Sequence, residues 1–268
     1  MTNTLIITWR ERFCKLLLKG WLKALEIFMG SGIQVPFFSI ITVSYQAAKT
    51  IGRTAKSLLG YDASMVEWLV IDGGSTDGTL EVLASAEKMP DLLVSEADKG
   101  LYDAMNKGVL LAKGSYLLFL NSDDWLEPEV LHAVKSAIEN NPGYDVYHGH
   151  LYAHFTEGVV LQQAHGLWPT SMPAFQPASF LRRDLNFAPP WFDLKYKIAS
   201  DFKFFKQLDR QGFRFFQLHQ VVTNYTTDGI SSNNRLRMAE LEQILIELGY
   251  SRWLVWLFMQ RMRLSIKR

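Results

Sequence analysis

From residue 37 onward the chain alternates short apolar runs with segments of helical period. The apolar runs have the length and composition of buried strands: FFSIITVSY, EWLVID, DLLVSE and SYLLFL. Each is followed by a segment with apolar residues at helical spacing: AAKTIGRTAKSLL, TLEVLASAEK, GLYDAMNKGVLLAKG and EPEVLHAVKSAIEN. In the last of these, Pro128 stands at a favourable first helical position. Regular alternation of this kind predicts an α/β fold, with a parallel sheet covered by helices on both faces.

The regular rhythm ends near residue 145. Two strand-like pieces follow, DVYHGHLYAHF and GVVLQQ, and then a loop with prolines from Trp168 to Pro177. We predict a helix near 201–211, a strand near 213–223 and helical structure over 237–266. The first half therefore has the pattern of a nucleotide-binding layer, and the second half that of a region which completes a site.

Composition places the chain among globular proteins. It has 268 residues, 48% hydrophobic and 21% charged, which excludes the disordered and fibrous classes. Its single cysteine, Cys14, excludes an internal disulfide framework and a cysteine-rich zinc site, and suits a reducing compartment. The formal net charge of +1 conceals basic ends on an acidic body.

Both ends are basic and amphipathic. Residues 1–36 carry five basic and two acidic residues, and the lysines of RFCKLLLKGWLKALEIFMG occupy one side of a predicted helix. The last seventeen residues carry five basic residues and no acidic one, and the apolar run WLVWLFM lies among them. The N-terminal helix fits peripheral binding to an anionic membrane surface, and equally fits docking on the body of the protein; the tail, with two tryptophans in its apolar run, strengthens the membrane interpretation. No run reaches the roughly 18 to 20 apolar residues that span a bilayer, so we expect no transmembrane anchor.

Polar residues cluster where the four predicted strands of the first half end. In an open parallel sheet, ligands bind outside the carboxyl ends of the strands. The residues at these ends are Thr42, Ser44 and Tyr45, then Asp72, then Glu96 and Asp98, and finally Asn121, Asp123 and Asp124. Taken singly, each also fits an ordinary turn or helix cap, and Asp77, Gly78 and Thr79 fit that interpretation best. The chain has no GxGxxG or GxxxxGK[ST] signature, which argues against a dinucleotide fold and a P-loop.

The adjacent acids of NSDDW need a physical cause, because two carboxylates in a cleft raise each other's pKa and cost stability. Pro128 places the next helix too late for Asp123 and Asp124 to cap it. A hard divalent cation, Mg²⁺ or Mn²⁺, would remove that cost, since it takes carboxylate oxygens and shares its other positions with substrate phosphates. The acid pair therefore predicts a metal platform for a nucleoside diphosphate.

Four stretches in a fixed order carry a family resemblance: FSIITVSYQAAKTIGRTAKSLL, EWLVIDGGSTDGT, SEADKGLYDAMNKGVLLAKGSYLLFLNSDD and IASDFKF. Together they resemble family 2 glycosyltransferases, of the bacterial exopolysaccharide and O-antigen subgroup similar to colanic acid glycosyltransferases. The resemblance runs from about Phe37 to Ser232. It implies a GT-A fold, which is a Rossmann-like, mostly parallel central sheet flanked by helices.

The amphipathic ends and the range of the resemblance together predict a division of the chain. Residues 1–36 would form an N-terminal amphipathic basic helix, and 237–268 a C-terminal helical, basic tail. Residues 37–236 would form the GT-A domain, with a nucleotide-binding half (37–125) and an acceptor-binding half (126–236).

The family's functional residues carry over position by position. The nucleotide pocket would be lined by Thr42, Ser44 and Tyr45, and Asp72 would contact the nucleobase. Ribose and diphosphate would be enclosed by Glu96, Asp98, Gly100, Asp103 and Asn106. NSDD matches the DXD motif, with Asn121 in place of the first acid, then Ser122, the metal ligand Asp123, and Asp124 near the sugar. Asp201 of IASDFKF matches the catalytic base, and Phe175 stands where relatives carry a histidine.

The implied activity is an inverting, metal-dependent sugar transfer of the hexosyltransferase type. The donor would be a nucleotide-diphosphate sugar, UDP-sugar first and GDP-sugar second, with Mn²⁺ or Mg²⁺ as the cofactor. The acceptor would be a saccharide or lipid-linked saccharide in bacterial surface polysaccharide synthesis, at the inner face of the plasma membrane. We expect no nucleic acid partner, because no recognition motif accompanies the basic residues.

Other interpretations remain beside this one. A nucleotidyltransferase shares the sheet and the metal, but its glycine- and arginine-rich phosphate loop is absent from this sequence. A non-catalytic, membrane-associated scaffold or sugar-binding protein on the same fold is kept open by Asn121 and Phe175. His148 and His150 fit either a metal pair or ordinary histidines. The stretch from Tyr225 to Ser232 fits either a lid or a simple connection.

Overall fold

The structure is a computed structural model that describes residues 35–164, 170–227 and 233–266, except for the side chains of 264–266. The helix predicted over residues 1–36 therefore lies almost wholly outside the described residues. So does most of the predicted lid, residues 228–232.

Four parallel strands form the first half of the central sheet, in agreement with the alternating pattern. They are β1 (Phe38–Ser44), β2 (Val66–Asp72), β3 (Leu92–Ser95) and β4 (Tyr116–Phe119), in the spatial order β3-β2-β1-β4. Ser44 pairs with Asp72, and Asp72 pairs with Ser95, so three strands end at one level. The polar residues that follow these strands are thereby brought to one edge of the sheet.

Five further strands complete the sheet of the described residues. They are β5 (Trp125–Leu126), β6 (Val146–Phe155), β7 (Gly158–Gln162), β8 (Ser179–Arg182) and β9 (Phe215–Thr226), and the order continues β4-β8-β6-β9-β5, with β7 paired to β6. β8 runs antiparallel to both β4 and β6, whereas β6 and β9 run parallel. The two reversals leave β9 pointing the same way as β4. Thr226, the last residue of β9, therefore lies at the edge where β4 ends.

Helices cover both faces of the sheet. They are α1 (Ile51–Lys56), α2 (Thr79–Ser85), α3 (Leu101–Leu111), α4 (Val130–Asn140), α5 (Ser200–Arg210), α6 (Asn234–Glu247) and α7 (Arg252–Ile266). Alternate residues of β1 enter two apolar cores: Ile40 packs in the core that contains α1 and α4, and Ile41 in the core that contains α3 and α5. Burial on both faces explains why the strands of the first half read as continuous apolar runs.

The helix after β5 begins later than the sequence pattern predicts. α4 starts at Val130, and Glu129 just before it takes a left-handed conformation with φ of 56°. Pro128 is therefore not the first helical residue, and that prediction was wrong. The later start leaves Asp123 and Asp124 even farther from any capping position.

Helices α6 and α7 pack on α5 through a third apolar cluster. The cluster includes Phe202 of α5, Leu241 and Ile244 of α6, and Val255 and Met259 of α7. The predicted boundary at residue 236 falls inside α6. No helix of the described residues is both long and apolar enough to cross a membrane.

Candidate active site

Asp72 is the centre of a hydrogen-bond network at the end of β2. Its side chain is fully buried, and Oδ1 accepts bonds from the hydroxyls of Ser44 (2.9 Å) and Ser75 (2.6 Å). Oδ2 accepts bonds from the N–H of Gly74 (3.0 Å), the N–H of Ser75 (2.8 Å) and the hydroxyl of Ser95 (2.7 Å). Burial acts to raise the pKa of Asp72, but these bonds outweigh it and the pKa is lowered. Asp72 thus fixes the turn after β2 and ties the ends of β1, β2 and β3 together.

Tyr45 and Asp98 both approach that turn closely at Gly73. A Cβ atom added at Gly73 would stand 2.8 Å from Asp98 Oδ2 and 3.3 Å from Tyr45 Cδ2. Tyr45 is 67% exposed, so its ring can stack against a flat ligand. Asp98 Oδ1 accepts the N–H of Gly100 (2.7 Å), and burial raises the pKa of Asp98. Gly100 itself takes φ of 111° immediately before α3.

A buried lysine holds two of the acids expected near ribose and diphosphate. Lys107 Nζ lies 3.1 Å from Glu96 Oε1 and 3.5 Å from Asp103 Oδ2, and Lys107 is only 5% exposed. A buried ammonium group needs such partners, because it has lost its hydration. Asp103 also accepts the N–H of Lys99 at 3.1 Å. Lys107 therefore holds Glu96 and Asp103 in place around the start of α3. The sequence pattern did not indicate this role for Lys107.

Two other predicted residues form internal bonds. The Thr42 hydroxyl accepts a bond from Trp68 Nε1 at 2.9 Å, and Thr42 is fully buried. Asn106 uses both ends of its amide on Phe192: Nδ2 donates to the Phe192 carbonyl (2.8 Å), and Oδ1 accepts the Phe192 N–H (3.0 Å). Asn106 thereby ties α3 to the segment that precedes α5.

Residues 121–124, hereafter the acidic loop, follow β4 and contain both adjacent carboxylates. Asp124 is fully buried; its Oδ1 accepts the N–H of Thr226 (2.9 Å) and its Oδ2 accepts Asn121 Nδ2 (3.1 Å). Burial, and then the charge of Asp123, raise the pKa of Asp124 well above its usual value. Burial also raises the pKa of Asp123, which is partly exposed, as is Ser122. Asn121 Oδ1 is buried without a hydrogen-bond partner among the described residues.

Arg53 of α1 binds the acidic loop through its guanidinium group. Its Nη2 donates to the Asp123 carbonyl (2.8 Å) and to Thr226 Oγ1 (3.3 Å), and its guanidinium carbon lies 3.7 Å from the centre of the Trp125 ring. Thr226 Oγ1 in turn donates to the same Asp123 carbonyl at 2.8 Å. One side chain thus joins α1, the acidic loop and the end of β9. Nothing in the sequence pattern distinguishes Arg53 from an ordinary helical arginine.

The acidic loop fits a divalent cation that takes some of its ligands from the protein and the others from a substrate. Within residues 35–164, 170–227 and 233–266, no group of three or more histidine, cysteine, aspartate or glutamate side chains could hold a metal ion. The available oxygens are the Asp123 carboxylate and the unpaired Asn121 Oδ1. Mg²⁺ is commonly held by one or two carboxylates, with water and substrate phosphates in its other positions. Asp123 and Asn121 supply a donor set of that kind.

Asp201 lies in the first turn of α5, beside the hydroxyl of Tyr102. Tyr102 Oη is 2.9 Å from Asp201 Oδ1 and 2.6 Å from the Ile198 carbonyl oxygen. Because the hydroxyl has one hydrogen, it can donate to a charged Asp201 or turn to Ile198 when Asp201 carries a proton. Burial raises the pKa of Asp201, and the bond from Tyr102 opposes that rise. A raised carboxyl pKa is what a general base near neutral pH requires.

Aromatic contacts connect Asp201 to the acidic loop. Tyr102 stacks on Phe192 with ring centres 5.6 Å apart, and Phe192 meets Phe119 edge-on at 5.1 Å. Phe119 is the last residue of β4, two positions before Asn121. The Phe119 carbonyl accepts Gln176 Nε2 at 2.8 Å, while Phe175 packs against an apolar core. Asp201 and the acidic loop are thus joined through packed side chains at one edge of the sheet.

The two strand histidines show no features of a metal site. His148 and His150 are both buried, and the described residues contain no cluster of three or more metal-binding side chains. Burial, and then the neighbouring His150, lower the pKa of His148 to about 4, so His148 is neutral at physiological pH. This favours the interpretation as ordinary buried histidines.

Comparison with known proteins identifies the family. The model of the family described as glycosyl transferase family 2 matches residues 39–226, a range that includes every residue of the site described so far. The chain belongs to glycosyl transferase family 2. Among curated relatives, this glycosyltransferase is similar to a PGL/p-HBAD biosynthesis glycosyltransferase of Mycobacterium bovis (strain BCG / Pasteur 1173P2). The two are 30% identical over 206 residues, which cover 74% of this chain and 80% of the relative.

Solved structures confirm the fold expected for this glycosyltransferase. It is similar to residues 1–349 of S. aureus TarS in complex with UDP-GlcNAc, with a TM-score of 0.62 and 20% identity over 81% of this chain and 69% of that one. It is also similar to the mannosyltransferase PcManGT from Pyrobaculum calidifontis in complex with GDP-Man and Mn²⁺. That TM-score is 0.60, with 16% identity over 88% of this chain and 72% of the other. The central sheet with its flanking helices is therefore a GT-A fold.

Proposed function

We propose that this glycosyltransferase moves a sugar from a nucleotide-diphosphate donor to a saccharide or lipid-linked saccharide, with inversion at the anomeric carbon, in the synthesis of a bacterial surface polysaccharide. The observation that carries the proposal is the connection of Asp201 to the acidic loop, through Tyr102, Phe192 and Phe119, at one edge of the sheet. UDP-sugar is the first choice of donor and GDP-sugar the second. The complexes of TarS with UDP-GlcNAc and of PcManGT with GDP-Man support this donor class.

In this proposal the donor binds along the ends of β1 to β4. The exposed ring of Tyr45 stacks on the base, and Gly73, which has no Cβ, lets Tyr45 and Asp98 lie close to the turn after β2. Asp123 and Asn121 would hold a divalent cation, Mn²⁺ or Mg²⁺, which would supply positive charge against the negative charge of the leaving diphosphate. The Mn²⁺ in the PcManGT complex supports this choice of cofactor.

Asp201 is the general base. It removes the proton of an acceptor hydroxyl while that oxygen forms a bond to the anomeric carbon from the face opposite the diphosphate. The bond from the anomeric carbon to the diphosphate oxygen breaks, and its electron pair leaves with the nucleotide. A positioned base of this kind contributes about 10² to 10⁴ in rate. Tyr102 keeps Asp201 hydrogen-bonded in both of its protonation states.

The acceptor is proposed to lie at the inner face of the plasma membrane, where α7 would contact the bilayer. Trp253 is 67% exposed and Trp256 is 55% exposed on this helix, and Arg252 and Arg263 are exposed beside them. Interfacial helices combine tryptophan with arginine in this way, because anionic headgroups attract the cations. We expect sedimentation with phosphatidylglycerol vesicles but not with phosphatidylcholine vesicles, and loss of it in Trp253→Ala/Trp256→Ala. Equal sedimentation of the double variant would contradict membrane binding through α7.

A thermal-shift titration with UDP-GlcNAc and GDP-mannose, with and without Mn²⁺, tests the donor proposal. A ligand at 100 times its Kd stabilises the native state by about 2.7 kcal/mol, so the correct donor raises Tm by several degrees. Nucleotide release from that donor then separates an enzyme from a sugar-binding scaffold. We expect release from the wild type with Mn²⁺ and none from Asp123→Ala. Donor binding without release in the wild type would favour the scaffold.

A further inference from the structure

The segment that leads into Asp201 is held by a carboxylate from α6. Glu240 is 6% exposed, and its Oε1 accepts the N–H of Lys197 at 2.7 Å. Its Oε2 accepts the N–H groups of Ile198 and Ala199, both at 2.9 Å. Three consecutive backbone donors therefore converge on one side chain. Glu240 lies beyond residue 226, where the match to the family ends.

These bonds fix the backbone at the start of α5. Ala199 directly precedes α5, and its side chain has no atom that could cap the helix. The positive end of the helix dipole also favours a carboxylate in this place. The Ile198 carbonyl accepts the Tyr102 hydroxyl at 2.6 Å. Ile198 lies three residues before Asp201. Its N–H is thus held by Glu240 of α6, and its carbonyl is held by Tyr102 of α3.

Glu240 is not needed merely to attach α6 to α5. Phe202 of α5 shares a buried apolar cluster with Leu241 and Ile244 of α6, which already holds the two helices together. Burying a carboxylate costs free energy that its hydrogen bonds must offset, and an apolar residue would attach α6 without that cost. The bonds of Glu240 instead end on the three residues that lead into the first turn of α5. Bonds to residues 197–199 fix the backbone just before Asp201, which is what positioning of its carboxylate requires.

We propose that Glu240 is a positioning residue for sugar transfer, whose carboxylate fixes residues 197–199 and so holds Asp201 in place for the acceptor hydroxyl. The proposal rests on the function proposed above, with Asp201 as the base. It extends the catalytic unit into α6, beyond the part of the chain that the family match covers.

Glu240→Gln tests the proposal with little change in volume. An amide NH₂ group would then face backbone N–H donors, so at least one of the three bonds is lost. We expect kcat to fall about 10²-fold, the effect typical of a slight misplacement of a reacting group. Nucleotide release from UDP-GlcNAc or GDP-mannose, whichever the wild type turns over, measures kcat. The Tm increase given by UDP with Mn²⁺ measures nucleotide binding, which we expect to be unchanged.

The dependence of kcat on pH is a second measurement, which a merely structural role of Glu240 would leave unchanged. Two titratable groups from neighbouring helices act on the pKa of Asp201: Tyr102 on α3 and Glu240 on α6. The negative charge of Glu240 raises the pKa of Asp201, so removing that charge lowers it. Asp201 then stays ionised to lower pH, and the acidic limb of the kcat profile of Glu240→Gln moves to lower pH.

Glu242→Gln is the matched control, because Glu242 is exposed on the same helix; we expect wild-type kcat and pH profile. Glu240→Asp keeps the negative charge but shortens the side chain by one methylene. It is the second test variant, to be used if Glu240→Gln fails to fold. We expect it to lower kcat with unchanged UDP binding and an unmoved acidic limb. Wild-type kcat in a folded Glu240 variant, or a loss no greater than its unfolded fraction, would overturn the proposal. If the wild type releases no nucleotide from either donor, the proposed function fails and this proposal fails with it.

Discussion

Arg53→Ala removes a side chain that joins α1 to the acidic loop and to the end of β9. The variant loses the bond from Nη2 to the Asp123 carbonyl, the weaker bond to Thr226, and the contact with the Trp125 ring. The bond from Thr226 Oγ1 to the Asp123 carbonyl remains, as does the bond from Thr54 Oγ1 of α1 to the Asp124 carbonyl at 2.7 Å. The acidic loop should therefore loosen while the fold persists.

The expected magnitude follows from those contacts. A hydrogen bond from a charged donor contributes about 1.5 to 3 kcal/mol, and the exposed position of Arg53 favours the lower end. A cation–π contact at an exposed site adds about 0.5 to 1 kcal/mol. A total near 2 kcal/mol corresponds to about a 30-fold change in an equilibrium constant. Because apparent affinity falls with the fraction of competent protein, the Mn²⁺ concentration for half-maximal activity should rise by up to about 30-fold.

Nucleotide release as a function of Mn²⁺ concentration measures this effect. Arg53→Ala should recover most of its activity at saturating Mn²⁺, and Arg53→Lys should be intermediate, since lysine keeps the charge but not the planar group that lies over Trp125. Lys56→Ala removes a positive charge one turn along α1 and should leave the Mn²⁺ dependence unchanged. If Arg53→Ala shows the same Mn²⁺ dependence as Lys56→Ala, Arg53 does not hold the acidic loop.

Two further variants test other parts of the structure. Tyr102→Phe removes one of the hydrogen bonds that lower the pKa of Asp201, so the acidic limb of the kcat profile should move to higher pH, opposite to Glu240→Gln; a limb that stays in place would refute the role of Tyr102. Gly149→Ala would place a Cβ 2.6 Å from the Gln220 carbonyl oxygen, and should cost about 1 to 3 kcal/mol, or about 2 to 4 °C of Tm for each kcal/mol. Gly52→Ala meets nothing closer than 3.6 Å and should not lower Tm, so equal melting of the two variants would argue against the close approach at Gly149.

The longest strands of the first half could be predicted because each shows its own pattern. β1 and β2 have seven residues each, buried on both faces, and read as apolar runs. β5 has two residues, too few for a pattern, and exists through its pairing with the distant strand β9. The later start of α4 depends on the left-handed conformation of Glu129, which no residue type at that position indicates.

The location of the candidate site could also be predicted, but the use of each side chain could not. Strand ends at one edge of a parallel sheet bring their polar residues together whatever the details of packing. Which groups remain available depends on distant partners: five donors engage Asp72, and Lys107 pairs with Glu96. Arg53 reaches the acidic loop from 70 residues away, and Glu240 reaches Ala199 across 41 residues. Contacts of this kind arise only when the chain has folded.

The central claim is that Asp201 acts as the base of a sugar transfer, and Asp201→Asn tests it most directly. Asparagine keeps the size of the side chain and an oxygen for the Tyr102 hydroxyl, but it cannot take the acceptor proton. Donor binding and sugar transfer should be measured on the same preparation. We expect an unchanged Tm increase with UDP and Mn²⁺, together with a loss of transfer of about 10² to 10⁴. Transfer at the wild-type rate by a folded Asp201→Asn protein would contradict the claim.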